Sequence, residues 1–181
     1  MRRPAWIEVD LAALRQNVQE IRRITDPQAA VMAVVKANAY GHGMVEVARV
    51  AVKNGAEWLA VARVDEGIAL REAGFKEPVL VFGWVPSVAV AEALEKDLNL
   101  TIYDRDSAIY IAEAARVAGR AMPVHVKVDT GMGRLGFSWD EKGIEDIVYA
   151  SSLEHLEVTG IYTHFAVADA QDKSYTLMQL K

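Results

Sequence analysis

Two stretches of this chain hold residue types that can do covalent or acid–base chemistry, and a third adds a histidine. The first runs from Val31 to Gly43, where an apolar run ends in Lys36 and is followed by Tyr40, Gly41, His42 and Gly43. Ligands of parallel α/β folds bind at the carboxyl ends of strands, which is where Lys36 falls. Strand alternation puts it on the face of Met32 and Val34. A charged amine is costly on an apolar face, and burial would lower its pKa, leaving the neutral amine that forms a Schiff base with an aldehyde. A lysine at a strand end can equally extend its stem into water. Position alone leaves both readings open. The turn that follows favours the first, because Gly41 and Gly43 let a ligand approach the backbone and Tyr40 offers a hydroxyl.

The second stretch runs from Pro123 to Gly136. Alternation puts Val124, Val126 and Val128 on one face and His125, Lys127 and Asp129 on the other. In a barrel the polar set would face the lumen, where ionisable groups need a network or a site. Arg134 follows in a loop with Gly131, Gly133 and Gly136. There it could grip a carboxylate with both arms of its guanidinium, or lie solvated in a surface turn. In the third stretch, Gly160 to Phe165, His164 sits at the end of the last strand with Tyr162 on its face. A lone strand histidine is also compatible with core packing. Metal binding has little support, since His125, His155 and His164 lack ligand spacing that can be read from sequence. There is no Gly-x-Ser-x-Gly elbow. Gly131 to Gly136 fits the letters of a dinucleotide fingerprint but has no helix start behind it.

The elements that must position these residues follow from periodicity. A short strand is predicted over 5–9, and a helix capped by Asp10 carries Leu11, Leu14, Val18 and Ile21 at helical spacing. Asp26 and Pro27 stop it. Strand-like runs follow at 31–35, 57–61, 79–82, 98–102, 123–128 and 156–163. Amphipathic stretches separate most of them, at 44–53, 64–73, 87–96, 104–117 and 140–149. Ser87, Asp104 and Asp140 read as helix caps, and Gly55, Gly74 and Gly119 as helix stops. The run 172–181 also reads as helical. Strand then helix, repeated, means parallel strands with helical crossovers.

The fold expected is therefore α/β of the (β/α)8 TIM-barrel type, with about six of its eight units present. The short strand and helix of residues 1–30 precede a partial barrel over 31–181. A smaller open sheet is the alternative.

Composition narrows the function classes. The chain has 181 residues, 52% of them hydrophobic, enough for a core. Its net charge of −5 argues against a nucleic-acid partner. The absence of cysteine excludes thiol catalysis and thiolate metal sites. The start has no apolar stretch after its arginines, so it does not read as a signal peptide. No apolar run approaches the ~20 residues that span a bilayer. A cytoplasmic protein is the expectation.

On the segments Val35–Gly43, Lys127–Gly136 and Thr163–Phe165, the chain resembles alanine racemase, from Trp6 to its last residue. The resemblance implies an enzyme that interconverts L- and D-alanine with pyridoxal 5'-phosphate (PLP), supplying D-alanine for the bacterial cell wall. It implies that Lys36 holds PLP covalently and acts as base on one face of the substrate. Tyr40 matches a tyrosine that helps hold the cofactor phosphate. Arg134 matches the arginine that orients the substrate carboxylate. Lys127 matches a lysine that is carbamylated in some members and positions that arginine. His164 matches a histidine supporting an arginine at the pyridine nitrogen. The resemblance further implies a cytoplasmic homodimer with no metal, whose second acid–base group is a tyrosine from the partner subunit.

That tyrosine, the pyridine-nitrogen arginine, most of the phosphate site and a carboxyl-terminal β domain follow, in the family, the point where this sequence stops. Residues 1–181 alone are accordingly expected to be inactive and not to behave as a tidy monomer. A racemase of another amino acid and a single-barrel PLP-carrier protein are the competing readings.

Overall fold

The structure, a computed structural model, describes residues 5–181. The arginines on which the signal-peptide reading drew lie outside the described residues. Two compact units divide the chain, one holding residues up to Trp84 together with Lys96–Leu98, the other Val85–Glu95 and Asn99 onward.

The first unit begins with α1 (Leu11–Ile24). The Asp10 carboxylate caps it, accepting the N–H groups of Ala12 at 2.8 Å and Ala13 at 3.0 Å, two of the donors a helix start leaves orphaned. There follow β1 (Met32–Val34), a left-handed turn α2 (Lys36–Tyr40), α3 (Met44–Lys53), β2 (Trp58–Val61), α4 (Val64–Glu72) and β3 (Val79–Val81). The strands are parallel and in chain order, with Met32 opposite Trp58 and Leu59 opposite Val79. Leu59, Ala60, Val61, Val79, Leu80 and Val81 are all fully buried. Strands buried on both faces read as continuous apolar runs rather than alternating ones, as these do. Small residues let the helices close on the sheet. Val18, Ala51 and Ala56 form one buried cluster, with Val31 and Ala33 against it. Arg71 ties the far side together. Its guanidinium donates to the carbonyls of Phe75, Glu77, Lys96 and Asp97.

The second unit holds a 3-10 turn (Ser87–Ala89), α5 (Val90–Glu95), most of β4 (Leu98–Ile102), α6 (Arg105–Ala118), β5 (Met122–Asp129), β6 (Phe137–Ser138), α7 (Glu141–Ser151), β7 (Leu156–Tyr162) and α8 (Ser174–Leu180). β5 pairs in parallel with β4, β6 and β7. Asp104 caps α6 through the Ser107 N–H, and Asp140 caps α7 through the Gly143 N–H. The alternation of β5 is as expected: Val124 and Val126 are buried, while His125, Lys127 and Asp129 are only partly covered. The β5–β7 register shifts between Val124 and His125. A side chain at Gly160 would meet the His125 ring at 2.7 Å, so the ring lies where a Cβ would stand.

The parallel α/β class and the strand and helix runs agree with expectation, and four local points differ. Residues 5–10 form no strand, and Trp6 and Ile7 are 72% and 76% exposed. A strand needs a neighbour for its backbone groups, and none of the described residues supplies one. Ser87 does not cap; it opens a 3-10 turn with no side-chain cap. β6 is an added strand, too short to read from alternation. Finally, β1 ends at Val34, so the pleat does not aim Lys36.

Candidate active site

Candidate residues occur in both units, and each set is built by its own local structure. In the first unit the chain leaves β1 at Val35, and Ala37, Asn38, Ala39 and Tyr40 then take φ values of 51°, 54°, 51° and 56°. This left-handed geometry crowds each Cβ against the following carbonyl, at about 1–2 kcal/mol per residue. Gly41, at φ 91°, continues the turn without that penalty.

Local hydrogen bonds hold the turn. Ala39 N–H donates to Val35 O at 2.9 Å, Gly43 N–H to Asn38 O at 3.0 Å, and His42 N–H to Ala39 O at 3.0 Å. The His42 Nδ1 lies 2.8 Å from the same Ala39 carbonyl. Asn38 Oδ1 accepts the first N–H of α3, from Met44, at 2.9 Å.

Lys36 starts this turn. It is half-buried, and its amine lies 5.9 Å from the centroid of the Tyr40 ring, which is exposed. A Cβ built on Gly41 or Gly43 meets nothing within 4 Å, so open space adjoins both. Positive φ, 91° and 95°, is the reason for these glycines, since the space beside them would admit a side chain.

One residue that sequence reasoning missed completes the arrangement. Glu66, in the first turn of α4, is buried at 7% exposure. Its Oε2 accepts the N–H groups of Ala62 at 2.9 Å and Arg63 at 3.2 Å. Its Oε1 accepts the Ala37 N–H at 2.6 Å. A glutamate three residues into a helix is a recognised capping signal. No sequence pattern reports that its other oxygen reaches the residue after Lys36.

In the second unit Asp129 does a similar job. One oxygen accepts the N–H groups of Gly131 and Gly133 at 3.0 Å each, the other that of Arg134 at 2.8 Å. Desolvation works to raise this carboxyl, but the backbone N–H groups of Gly131, Gly133, Arg134 and Met132 together outweigh it and hold the group below the ordinary carboxylate range. The loop is thereby folded back on the end of β5. The Arg134 side chain is exposed, and among the described residues no carboxylate forms an ion pair with it. Gly136 is required by closeness: an added Cβ would lie 2.5 Å from the Asp129 nitrogen.

Lys127 precedes Asp129 by two residues on β5, within electrostatic reach of Arg134. Its amine donates to Val128 O at 3.2 Å and sits 5.4 Å from the centroid of the Tyr162 ring. Burial lowers the Lys127 pKa. Asp129 opposes that shift, and the Arg134 charge adds to it. Tyr162 bonds Thr101 at 3.1 Å, and burial pushes its phenol up to about 12.

His164 stands two residues beyond the end of β7, exposed rather than packed in the core. The helix α8 braces it: buried Gln179 donates to His164 O at 3.3 Å and to Thr130 Oγ1 at 3.1 Å, and accepts from Ala166 N–H at 2.9 Å. Tyr175 donates to Gly131 O at 2.8 Å. Both α8 residues escaped sequence reasoning, since nothing local marks a helix residue as a loop brace. Among the described residues no group of three or more His, Cys, Asp or Glu could hold a metal ion, and no helix is long and apolar enough to cross a membrane.

The structure thus brings Lys36 together with Tyr40, and Lys127 together with Asp129 and the Arg134 loop. The model of the alanine racemase N-terminal domain family matches residues 9–181. The chain belongs to that family. Alanine racemase from Methanococcus maripaludis is 51% identical over 176 residues, covering 97% of this chain and 47% of the relative. That of Desulforamulus reducens is 51% identical over 181 residues, covering 100% and 49%. Among solved structures, alanine racemase of Clostridium difficile 630 in complex with cycloserine superposes with a TM-score of 0.94 at 38% identity, covering 99% of this chain and 50% of that one. The Bacillus anthracis alanine racemase with bound L-Ala-P gives 0.90 at 38%, covering 99% and 46%. The chain spans about half the length of the curated relatives it matches.

Proposed function

We propose that this protein is the amino-terminal part of an alanine racemase, in which residues 31–181 form part of a PLP-binding barrel and Lys36 carries the cofactor. The observation that carries the reading is the half-buried Lys36 amine at the carboxyl end of β1, beside open space at Gly41 and Gly43. Those residues fit an aldehyde-bearing, phosphate-bearing ligand: an amine to condense with it, a free backbone face, and an exposed tyrosine hydroxyl.

PLP, when bound, would spread the charge left when the Cα proton of an amino acid departs. The chain's own residues do the rest. The Lys36 Nζ holds or returns the proton on one face of the substrate. The Arg134 guanidinium engages the substrate carboxylate with two parallel hydrogen bonds. Tyr40 would help hold the cofactor phosphate through its hydroxyl. Lys127, carbamylated, would hold the Arg134 side chain, and His164 would support the arginine at the pyridine nitrogen.

Racemisation needs a second acid–base group on the opposite face. In this reading the partner subunit of a cytoplasmic homodimer supplies it, so residues 1–181 alone do not racemise alanine. In a bacterium the product would be D-alanine for the cell wall.

The test is borohydride reduction in the presence of PLP, followed by peptide mapping. Label concentrated at Lys36 supports the reading. Label spread over surface lysines, or none, overturns it.

A further inference from the structure

We propose that Glu66 is a positioning residue for Lys36: by binding the Ala37 N–H it holds the left-handed turn that aims the lysine amine. The proposal rests on the reading of Lys36 as the cofactor lysine.

A capping role alone does not account for Glu66. Capping α4 occupies Oε2, which accepts from Ala62 and Arg63 at the end of β2. Oε1 makes the shortest of the three contacts, 2.6 Å, to a residue twenty-nine positions earlier in the chain. That residue, Ala37, is the first of four consecutive non-glycine residues at positive φ. An alanine prefers right-handed or extended geometry, and of the three residues that follow only Asn38 is of a type that enters the left-handed form readily. The local hydrogen bonds of the turn do not take up its first amide, the Ala37 N–H, which goes to Glu66 instead. A carboxylate at 7% exposure is suited to this, because an ionised acceptor bonds backbone N–H groups strongly and the fold leaves it little room to move.

The peptide joining Lys36 to Ala37 carries that N–H. Fixing it fixes the backbone direction at Lys36, and with it the direction of the Cα–Cβ bond, now that the strand pleat has ended at Val34. Both oxygens are needed at once. Glutamine offers one acceptor oxygen, and its NH2 would face an N–H donor on the other side. Glu66→Gln thus keeps size and burial but loses one of the two grips.

The experiment compares the protein with its Glu66→Gln and Glu66→Asp variants, and with Asp65→Asn as control for charge at the same helix start. Lysines are labelled by formaldehyde and cyanoborohydride across a pH series. Lys36 is read relative to Lys53 and Lys76 in the same molecule, and Ala37 amide exchange is followed in parallel. In Glu66→Gln we expect Ala37 to exchange at least about tenfold faster, the loss of one charge-assisted hydrogen bond. We also expect the relative rate and pH midpoint of Lys36 labelling to move while Lys53 and Lys76 hold theirs. Asp65→Asn should leave Lys36 unchanged.

A folded Glu66→Gln protein with the Lys36 profile of the parent overturns the proposal. So does fast Ala37 exchange in the parent itself, a measurement that stands even if the variants do not fold. Formaldehyde labelling needs no cofactor. Failure of PLP capture at Lys36 in the parent would therefore sink the racemase reading by a separate result.

Discussion

The Asp129 carboxylate accepts the backbone N–H of Arg134 at 2.8 Å, closing a five-residue span onto the end of the strand that precedes it. With its bonds to Gly131 and Gly133, this one side chain satisfies three donors of a loop that presents the exposed Arg134 side chain. Glu66 likewise satisfies three donors beside Lys36. In each unit, a carboxylate bound to backbone rather than to a cation shapes the segment that bears the candidate functional residue.

Replacing Asp129 by alanine should free the loop. The amides of Gly131, Gly133 and Arg134 should lose protection, with a stability loss of about 1–2 kcal/mol once solvent screening is allowed for. The Asp129 pKa is depressed in the fold. Its contribution is therefore present above the ordinary carboxylate range and is lost as pH falls through the folded value. Hydrogen exchange across an acid series checks this. Loop protection that ignores both the mutation and acid would contradict it.

Tyr162 predicts the opposite edge of the pH range. Its phenol is pushed from the ordinary 10.0 up to about 12 by burial. A group raised in the fold contributes stability that is full below its unfolded pKa and falls away as pH rises through the folded one. Thermal melts should therefore drop between pH about 10 and about 12 more steeply in the parent than in Tyr162→Phe. Equal slopes for the two proteins would show that the phenol does not ionise as stated.

Arg71 should behave as a structural staple. Its three part-buried carbonyl contacts, to Phe75, Glu77 and Lys96, lose their Arg71 donor in Arg71→Ala. A loss of about 2–4 kcal/mol follows from leaving part-buried acceptors unmet. Arg71→Lys should recover only part of it, because an ammonium cannot reproduce the planar fork. Chemical denaturation measures both.

For Lys127 the prediction concerns reactivity. Burial lowers its pKa, so at a given pH more of its amine is neutral than for an exposed lysine. The neutral nitrogen can attack carbon dioxide, forming an N–C bond as one C=O π pair moves onto oxygen and a proton passes to solvent, and the product carbamate would lie within electrostatic reach of Arg134. Isotopically labelled bicarbonate should yield a carbamate resonance that is absent from Lys127→Ala. A resonance that persists in the variant would place the reaction elsewhere.

Much of this protein was legible in the order of its residues. Apolar runs, helical spacing and the acidic caps at Asp10, Asp104 and Asp140 are local signals, and local hydrogen bonds realise them. The motifs around Lys36, Lys127, Arg134 and His164 sufficed for a resemblance that the family match bears out. The direction of Lys36 was not legible. Alternation carries it along β1, yet the strand ends at Val34 and the chain turns left-handed through residues that prefer not to. Nor was the reach of Glu66 to Ala37, or of Gln179 to His164, because each joins positions distant in sequence that only the packing of helix on sheet makes neighbours. Periodicity records which face of an element is apolar. Only the tertiary fold decides which distant carboxylate or amide will meet a backbone group, and here those meetings fall in the segments that bear the candidate residues.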